Sequence, residues 1–131
     1  MKISQQAITK IARKYNLKLI VLFGSQVQKQ IHNESDVDIA FVPSRKIDEE
    51  GLYLDLVHAI KRADIDLVNL FTLHNHILRY EILSKGAVLY EIKVGLKSKM
   101  EGESFIDYVD FKQYYNLRSK LIDKKILELT A

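Results

Sequence analysis

The chain has 131 residues, of which 47% are apolar and 28% charged, as expected for one globular domain with its own core. Its formal charge of +3 favours anionic partners, but direct nucleic-acid binding is not expected without a clustered basic face. The absence of cysteine excludes disulfides, thiolate catalysis and cysteine metal sites. Residues 1–10 lack the apolar segment of a signal peptide, and no apolar run is long enough to span a membrane. We therefore expect a cytoplasmic protein without membrane contact.

Helical and strand periods alternate through the first 95 residues, which places the fold in the α/β class. The helix and strand boundaries are predicted from capping residues, the spacing of apolar residues and turn residues. The predicted elements are a helix capped by Ser4 and ending near Asn16, strands over Leu17–Phe23 and Asp36–Val42, a helix capped by Asp48, a strand over Ile65–Leu70, a helix from about Leu73 to Lys85 closed by Gly86, and a short strand over Ala87–Glu91.

The sequence from about Met100 to the end carries no strand signal. Roughly thirty helix-forming residues correspond to about 45 Å, which exceeds the width of a small domain. Two alternatives remain open: the helix packs back on the sheet, or it protrudes as an arm that binds a partner. Gly95–Ser104 is the only linker-like stretch. We expect a core over residues 1–95 and a C-terminal helical extension of the same domain over residues 96–131.

Two aspartates stand at alternate positions of the second predicted strand. Residues two apart in a strand point to the same side, so Asp36 and Asp38 present their carboxylates to one place while Val37 faces the core. Like charges this close are unfavourable unless a cation compensates, which predicts a bound hard divalent ion such as Mg²⁺. Asp66, in the next predicted strand, is a candidate third carboxylate and base.

Gly24 and Ser25 stand where the first strand turns towards a helix. Such a turn frees backbone N–H groups and lets a phosphate approach closely, with the Ser25 hydroxyl as a further donor. A phosphate cradle beside carboxylate-held metal indicates in-line attack on a nucleotide phosphate. Gly-Ser and Asp-x-Asp are each common by chance, but their order and spacing together are much more specific.

The stretches LFGSQVQKQIHNESDVDIAF, DIDLVNL and HILRYEILSKGAVLYE resemble the minimal nucleotidyltransferases of the DNA polymerase β superfamily over most of the chain. The resemblance implies a small mixed sheet flanked by helices, with a long C-terminal helix here. It also implies that the Gly-Ser turn binds the triphosphate and that three carboxylates hold one or two Mg²⁺ ions. These roles fall on Gly24, Ser25, Asp36, Asp38 and Asp66.

The short form, ending in YVDFKQYYNLRSKLI, resembles the antitoxins of HEPN/MNT toxin–antitoxin pairs. The resemblance implies transfer of AMP from ATP to a tyrosine of a HEPN ribonuclease toxin encoded by the adjacent gene, within a hetero-oligomer. A domain of this size also leaves little surface to enclose a small acceptor, which favours a macromolecular one.

Two positions depart from the family, which often has an arginine and a second glycine after Gly-Ser where this chain has Gln26 and Lys29. Lys29 is a candidate phosphate contact or a solvated helix residue. Arg79 is a second candidate for nucleotide phosphate, or a surface arginine without a role. His74 and His76, two apart on a helix, point in different directions and do not predict a metal site.

Two other functions remain as alternatives to protein adenylylation. In the first, the nucleotide site is not catalytic and the chain inhibits its partner by forming a complex. In the second, the enzyme acts on an RNA end or a small molecule such as an antibiotic, which would require no protein partner.

Overall fold

The computed structural model describes residues 3–24 and 36–130. Over these residues the elements are α1 (Gln5–Lys14), β1 (Leu17–Phe23), β2 (Val37–Pro43), α2 (Glu49–Ile60), β3 (Ile65–Asn69), α3 (His76–Lys85), β4 (Ala87–Glu91) and α4 (Leu96–Thr130). The alternation of helices and strands predicted from the sequence is confirmed. No helix in the described part of the chain combines the length and apolar character needed to cross a membrane.

The four strands form one mixed sheet in the order β3-β2-β1-β4. Strand β1 runs antiparallel to both β2 and β4, whereas β2 and β3 are parallel. The C-terminal end of β1 therefore lies beside the N-terminal ends of β2 and β3. We call this end of the sheet the front edge, and it brings Gly24, Asp36, Asp38 and Asp66 into one region.

Each face of the sheet carries its own apolar cluster, as the period of two dictates. On one face Ile20, Ile39 and Phe41 pack against α1 and α2. On the other, Val21 and Ala40 pack against Ile82 and Leu83 of α3 and against partly buried residues of α4. The sheet is thus covered by helices on both faces.

Most predicted helix ends are confirmed. Ser4 Oγ accepts a hydrogen bond from the Ala7 N–H at 3.3 Å, and Asp48 Oδ1 accepts one from Gly51 at 3.1 Å. Helix α3 begins at His76 instead of about Leu73, because the Asn75 side chain caps it by accepting from two backbone N–H groups at 3.1 Å.

Gly86 ends α3 as predicted. It does not adopt the left-handed conformation that is usual for a glycine at the end of a helix. Its φ is −71°, which any residue can adopt. A Cβ at this position would overlap a methyl group of Val21 and the carbonyl oxygen of Ile82. The requirement is therefore close packing between the end of α3 and β1.

Helix α4 begins at Leu96, so the prediction of a linker over Gly95–Ser104 is wrong beyond Gly95 itself. Gly95 adopts a φ of +92°, and the helix follows at the next residue. The first half of α4 packs on α3 as far as Phe111, and every residue from Lys112 to Thr130 is exposed. The first half of the helix therefore packs back on the domain and the second half protrudes, while the binding of a partner by the protruding half stays a prediction.

Candidate functional site

The register of the sheet sets two of the predicted carboxylates beside each other. Asp38 is paired with Asp66 across the parallel strands β2 and β3. Their neighbours Val37 and Ile65 belong to the core on the α1/α2 side. Both aspartates therefore face the α3 side of the sheet. Asp36 lies two residues before Asp38, just outside the strand, and is exposed.

The environment of Asp38 raises the pKa of its carboxyl group. Partial burial is the largest cause, the negative charges of Asp66 and Asp36 add to it, and a hydrogen bond with the Asp66 carboxyl favours the protonated form. The two carboxyl groups are thus close neighbours on adjacent strands, and Asp36 is near enough for its charge to act on Asp38. Such a group of carboxylates is what a cation would stabilise.

The turn after β1 requires glycine. Gly24 adopts a φ of +77°, which side chains disfavour, and a Cβ there would overlap Oδ2 of Asp38 and lie 3.1 Å from its Cγ. The pairing of Phe23 with Asp38 across β1 and β2 produces this approach. Backbone and carboxylate therefore touch at the front edge. The other two predicted phosphate contacts, Ser25 and Lys29, lie outside the described residues.

The donor chemistry at the front edge fits a hard divalent ion. Carboxylate oxygens are the ligands that Mg²⁺ prefers, and facing carboxylates lose their repulsion when a cation lies between them. Over residues 3–24 and 36–130, however, no three His, Cys, Asp or Glu side chains are grouped so as to hold a metal ion. Asp38 and Asp66 already meet, so a three-carboxylate site requires Asp36 to turn towards them.

One residue near the carboxylates was not identified from the sequence. Arg62, in the turn between α2 and β3, forms an ion pair with Asp64, its Nε donating to Oδ1 at 2.9 Å. That pairing is the main cause of the raised pKa of Arg62, and the charge of Asp36 contributes as well. Arg62 therefore places positive charge beside the acidic group. The signal in the sequence is the Arg-Ala-Asp triplet immediately before the strand that carries Asp66.

Arg79 has a contact other than the one predicted from the sequence. Its Nη1 donates a hydrogen bond to the carbonyl oxygen of Leu70, the buried residue that follows β3. Leu70 lies four residues after Asp66, or about 13 Å along an extended chain. The nucleotide contact of Arg79 stays a prediction, and the observed contact points to a structural role.

Known proteins share this fold and this sequence pattern. A family model described as polymerase beta, nucleotidyltransferase matches residues 6–95. None of the curated protein sequences compared with the chain matches it.

Several solved structures of toxin–antitoxin complexes contain a similar chain. One with AMP-PNP has a TM-score of 0.71 and 25% identity, covering 95% of this chain and 99% of that one. A complex of MNT antitoxin with the tri-AMPylated HEPN toxin of Shewanella oneidensis has a TM-score of 0.63 and 23% sequence identity, and the match covers 93% of this chain and 95% of that one. An MntA–HepT complex has a TM-score of 0.59 and 22% sequence identity, and the match covers 94% of this chain and 96% of that one. These last two likenesses concern the fold alone.

The family model covers more than half of the chain, and its match includes the whole front edge from Gly24 to Asp66. The chain therefore belongs to the polymerase beta nucleotidyltransferase family.

Proposed function

We propose that this chain is the antitoxin of a HEPN/MNT pair and that it transfers AMP from ATP, with Mg²⁺, to a tyrosine of its partner HEPN toxin. The observation that carries the proposal is the meeting of Asp38 and Asp66 at the front edge, against the backbone of Gly24. The AMP-PNP complex and the AMPylated toxin among the similar structures support the choice of ATP and of a protein acceptor.

In the proposed reaction the tyrosine oxygen attacks the α-phosphorus of ATP. A new O–P bond forms, the bond from the α-phosphorus to the bridging oxygen of the β-phosphate breaks, and diphosphate leaves with the electron pair. The tyrosine proton passes to a carboxylate, for which Asp66 is the candidate base. Mg²⁺ held by the carboxylates of the front edge would supply positive charge to the triphosphate and would favour loss of the tyrosine proton.

The residues of this chain contribute position and charge. Asp36, Asp38 and Asp66 hold the metal in this proposal, and the backbone at Gly24 and Ser25 receives the triphosphate. Lys29 adds charge beside the phosphates. The contact of Arg79 with the nucleotide stays a prediction, since its hydrogen bond to the Leu70 carbonyl engages only one of the five N–H donors of the guanidinium.

The test is intact-mass spectrometry of the adjacent-gene HEPN protein after incubation with this chain and Mg·ATP. We expect the HEPN protein to gain whole AMP units with the wild-type chain and none with Asp38→Asn. The matched control is Asp123→Asn, which changes an exposed aspartate of α4 and should leave transfer unchanged.

Mapping the added mass to a tyrosine by peptide sequencing completes the test. A HEPN protein that forms the complex but gains no mass would refute the catalytic proposal and favour inhibition by binding. Transfer to RNA or to a small molecule in the absence of the HEPN protein would assign a different acceptor.

A further inference from the structure

The second half of α4, from Lys112 to Thr130, is a helical arm in which every residue is exposed. Monomeric proteins rarely expose a continuous apolar surface of this extent without a binding role. The arm nevertheless carries eight large apolar side chains that are each about half or more exposed: Tyr114, Tyr115, Leu117, Leu121, Ile122, Ile126, Leu127 and Leu129. This exposed surface therefore points to a binding role for the arm.

Most of these side chains lie in two stripes along the arm. At 100° per residue, Tyr115, Ile122, Ile126 and Leu129 continue the side of α4 that packs on α3, where Tyr108 stacks on Tyr80 at 4.7 Å. Tyr114, Leu117 and Leu121 form the second stripe beside it. Both face the same half of the helix, which we call the arm face.

A row of positive charge runs between the two stripes. Arg118 and Lys125 are seven residues apart and so lie above one another on the helix. Arg118 also lines a depression of about 310 Å³ together with Phe111, Tyr114, Tyr115, Ser119 and Ile122. From Lys112 to Thr130 the arm has five basic and two acidic side chains. Of the two acidic residues, Glu128 also falls on the arm face, within the second stripe. The matching surface therefore has apolar walls, carboxylates opposite Arg118 and Lys125, and a positive charge opposite Glu128.

The charge row disfavours a second copy of this chain as the occupant. Two arms paired through their arm faces, in parallel register or antiparallel about Leu121 and Ile122, would set Arg118 and Lys125 of one against the same cations of the other. Like charges brought together in this way are destabilising. An acidic groove between helices of another protein provides the opposite charges, and an amphipathic helix in such a groove is a common mode of recognition.

We propose that the arm face docks into an acidic, apolar-walled groove of the protein that accepts the nucleotide, so that binding by α4 is separate from chemistry at the front edge. This inference rests on the proposed function only in taking that acceptor to be the adjacent-gene HEPN protein.

The test compares two charge reversals of equal size in the full-length chain. Arg118→Glu with Lys125→Glu changes the row on the arm face. Lys120→Glu with Lys124→Glu changes two lysines of the same helix that lie outside the arm face, and it serves as the matched control. Both pairs are exposed, so neither substitution should disturb the fold, which circular dichroism verifies. Binding to the HEPN protein is measured by isothermal titration calorimetry without nucleotide.

We expect the arm-face reversal to weaken binding at least tenfold and the control to change it less than threefold. In the same way Ile122→Ser, on the arm face, should weaken binding more than Leu127→Ser, which lies off both stripes. Because no ATP is present, these results do not depend on whether AMP is transferred. Where transfer does occur, the arm-face reversal should raise KM for the HEPN protein and leave kcat nearly unchanged.

Equal binding by the two reversals would overturn the proposal. So would a wild-type chain that sediments as a dimer which only the arm-face reversal dissociates, since the occupant would then be a second copy. Tight binding of a thirty-nucleotide single-stranded RNA that only the arm-face reversal abolishes would assign the surface to nucleic acid instead.

Discussion

Replacing Gly24 with alanine tests the close approach between the turn after β1 and the carboxylate of Asp38. The new methyl group would overlap Oδ2 and approach Cγ to 3.1 Å, so the Asp38 carboxylate must move by about 1 Å. A displacement of this size at a reacting centre lowers rates about 100-fold. The stability loss should be smaller, about 1–2 kcal/mol for alanine at positive φ, because a flexible side chain relieves the overlap.

The matched control is Gly102→Ala, since Gly102 lies within α4 with open space around it. Alanine there should stabilise the protein by roughly 0.5–1 kcal/mol and leave the rate unchanged. The assay pairs the initial rate of AMP transfer to the HEPN protein with thermal unfolding. If Gly24→Ala retained half or more of the wild-type rate, the contact between backbone and carboxylate would have no role in positioning Asp38.

Three further predictions concern other side chains. In the metal-free protein Asp38→Asn should raise the melting temperature at pH 7. The pKa of Asp38 is raised in the folded state, so ionisation of its carboxyl group lowers the stability of the wild-type protein as the pH rises above the ordinary value of 3.8, and asparagine avoids this loss. The difference in melting temperature between Asp38→Asn and the wild-type protein should shrink as the pH is lowered towards 3.8. A difference that grew instead would contradict the raised pKa of Asp38. Ser104→Ala should raise stability by about 1 kcal/mol in urea unfolding, because the buried Ser104 hydroxyl has no hydrogen-bond partner among residues 3–24 and 36–130. Arg79→Gln should lower stability by about 1–2 kcal/mol without changing KM for ATP, whereas a raised KM would restore its nucleotide role.

The parts of the fold that depend on local chemistry were predictable from the sequence. Ser4 and Asp48 cap helices because a short side-chain oxygen reaches the backbone N–H groups of the first turn. Successive side chains of β2 point to opposite faces of the sheet, so Asp38 and the core-facing Val37 lie on different faces for local reasons alone. Asp36 lies just outside β2, so the spacing of the two aspartates did not fix the direction of its side chain.

Features that depend on long-range pairing were not predictable in this way. The contact of Asp38 with Asp66 requires that β2 and β3 be parallel and in one particular register, and neither is encoded locally. The need for glycine at position 86 arises from Val21, which is remote in sequence. The position of the Arg62 side chain near the carboxylates depends on how α2 packs against the sheet, since Arg62 lies in the turn between α2 and β3.

The division of α4 into a packed half and an exposed half also has a long-range cause. Its own pattern of apolar residues continues past Phe111 without interruption by glycine or proline. Helix α3, however, has only ten residues and extends about 15 Å. The ring contact of His76, the first residue of α3, with Phe111 marks the end of that support. The length of α3 therefore decides where the arm begins.

The same geometry constrains what the arm can bind. The end of α3 at Gly86 lies against Val21, close to the front edge, while the arm leaves α3 at its opposite end, about 15 Å away. An acceptor that uses both surfaces must extend over that distance, which a folded protein does. If the acceptor is also the partner that covers the arm face, as proposed above, it must therefore be a macromolecule.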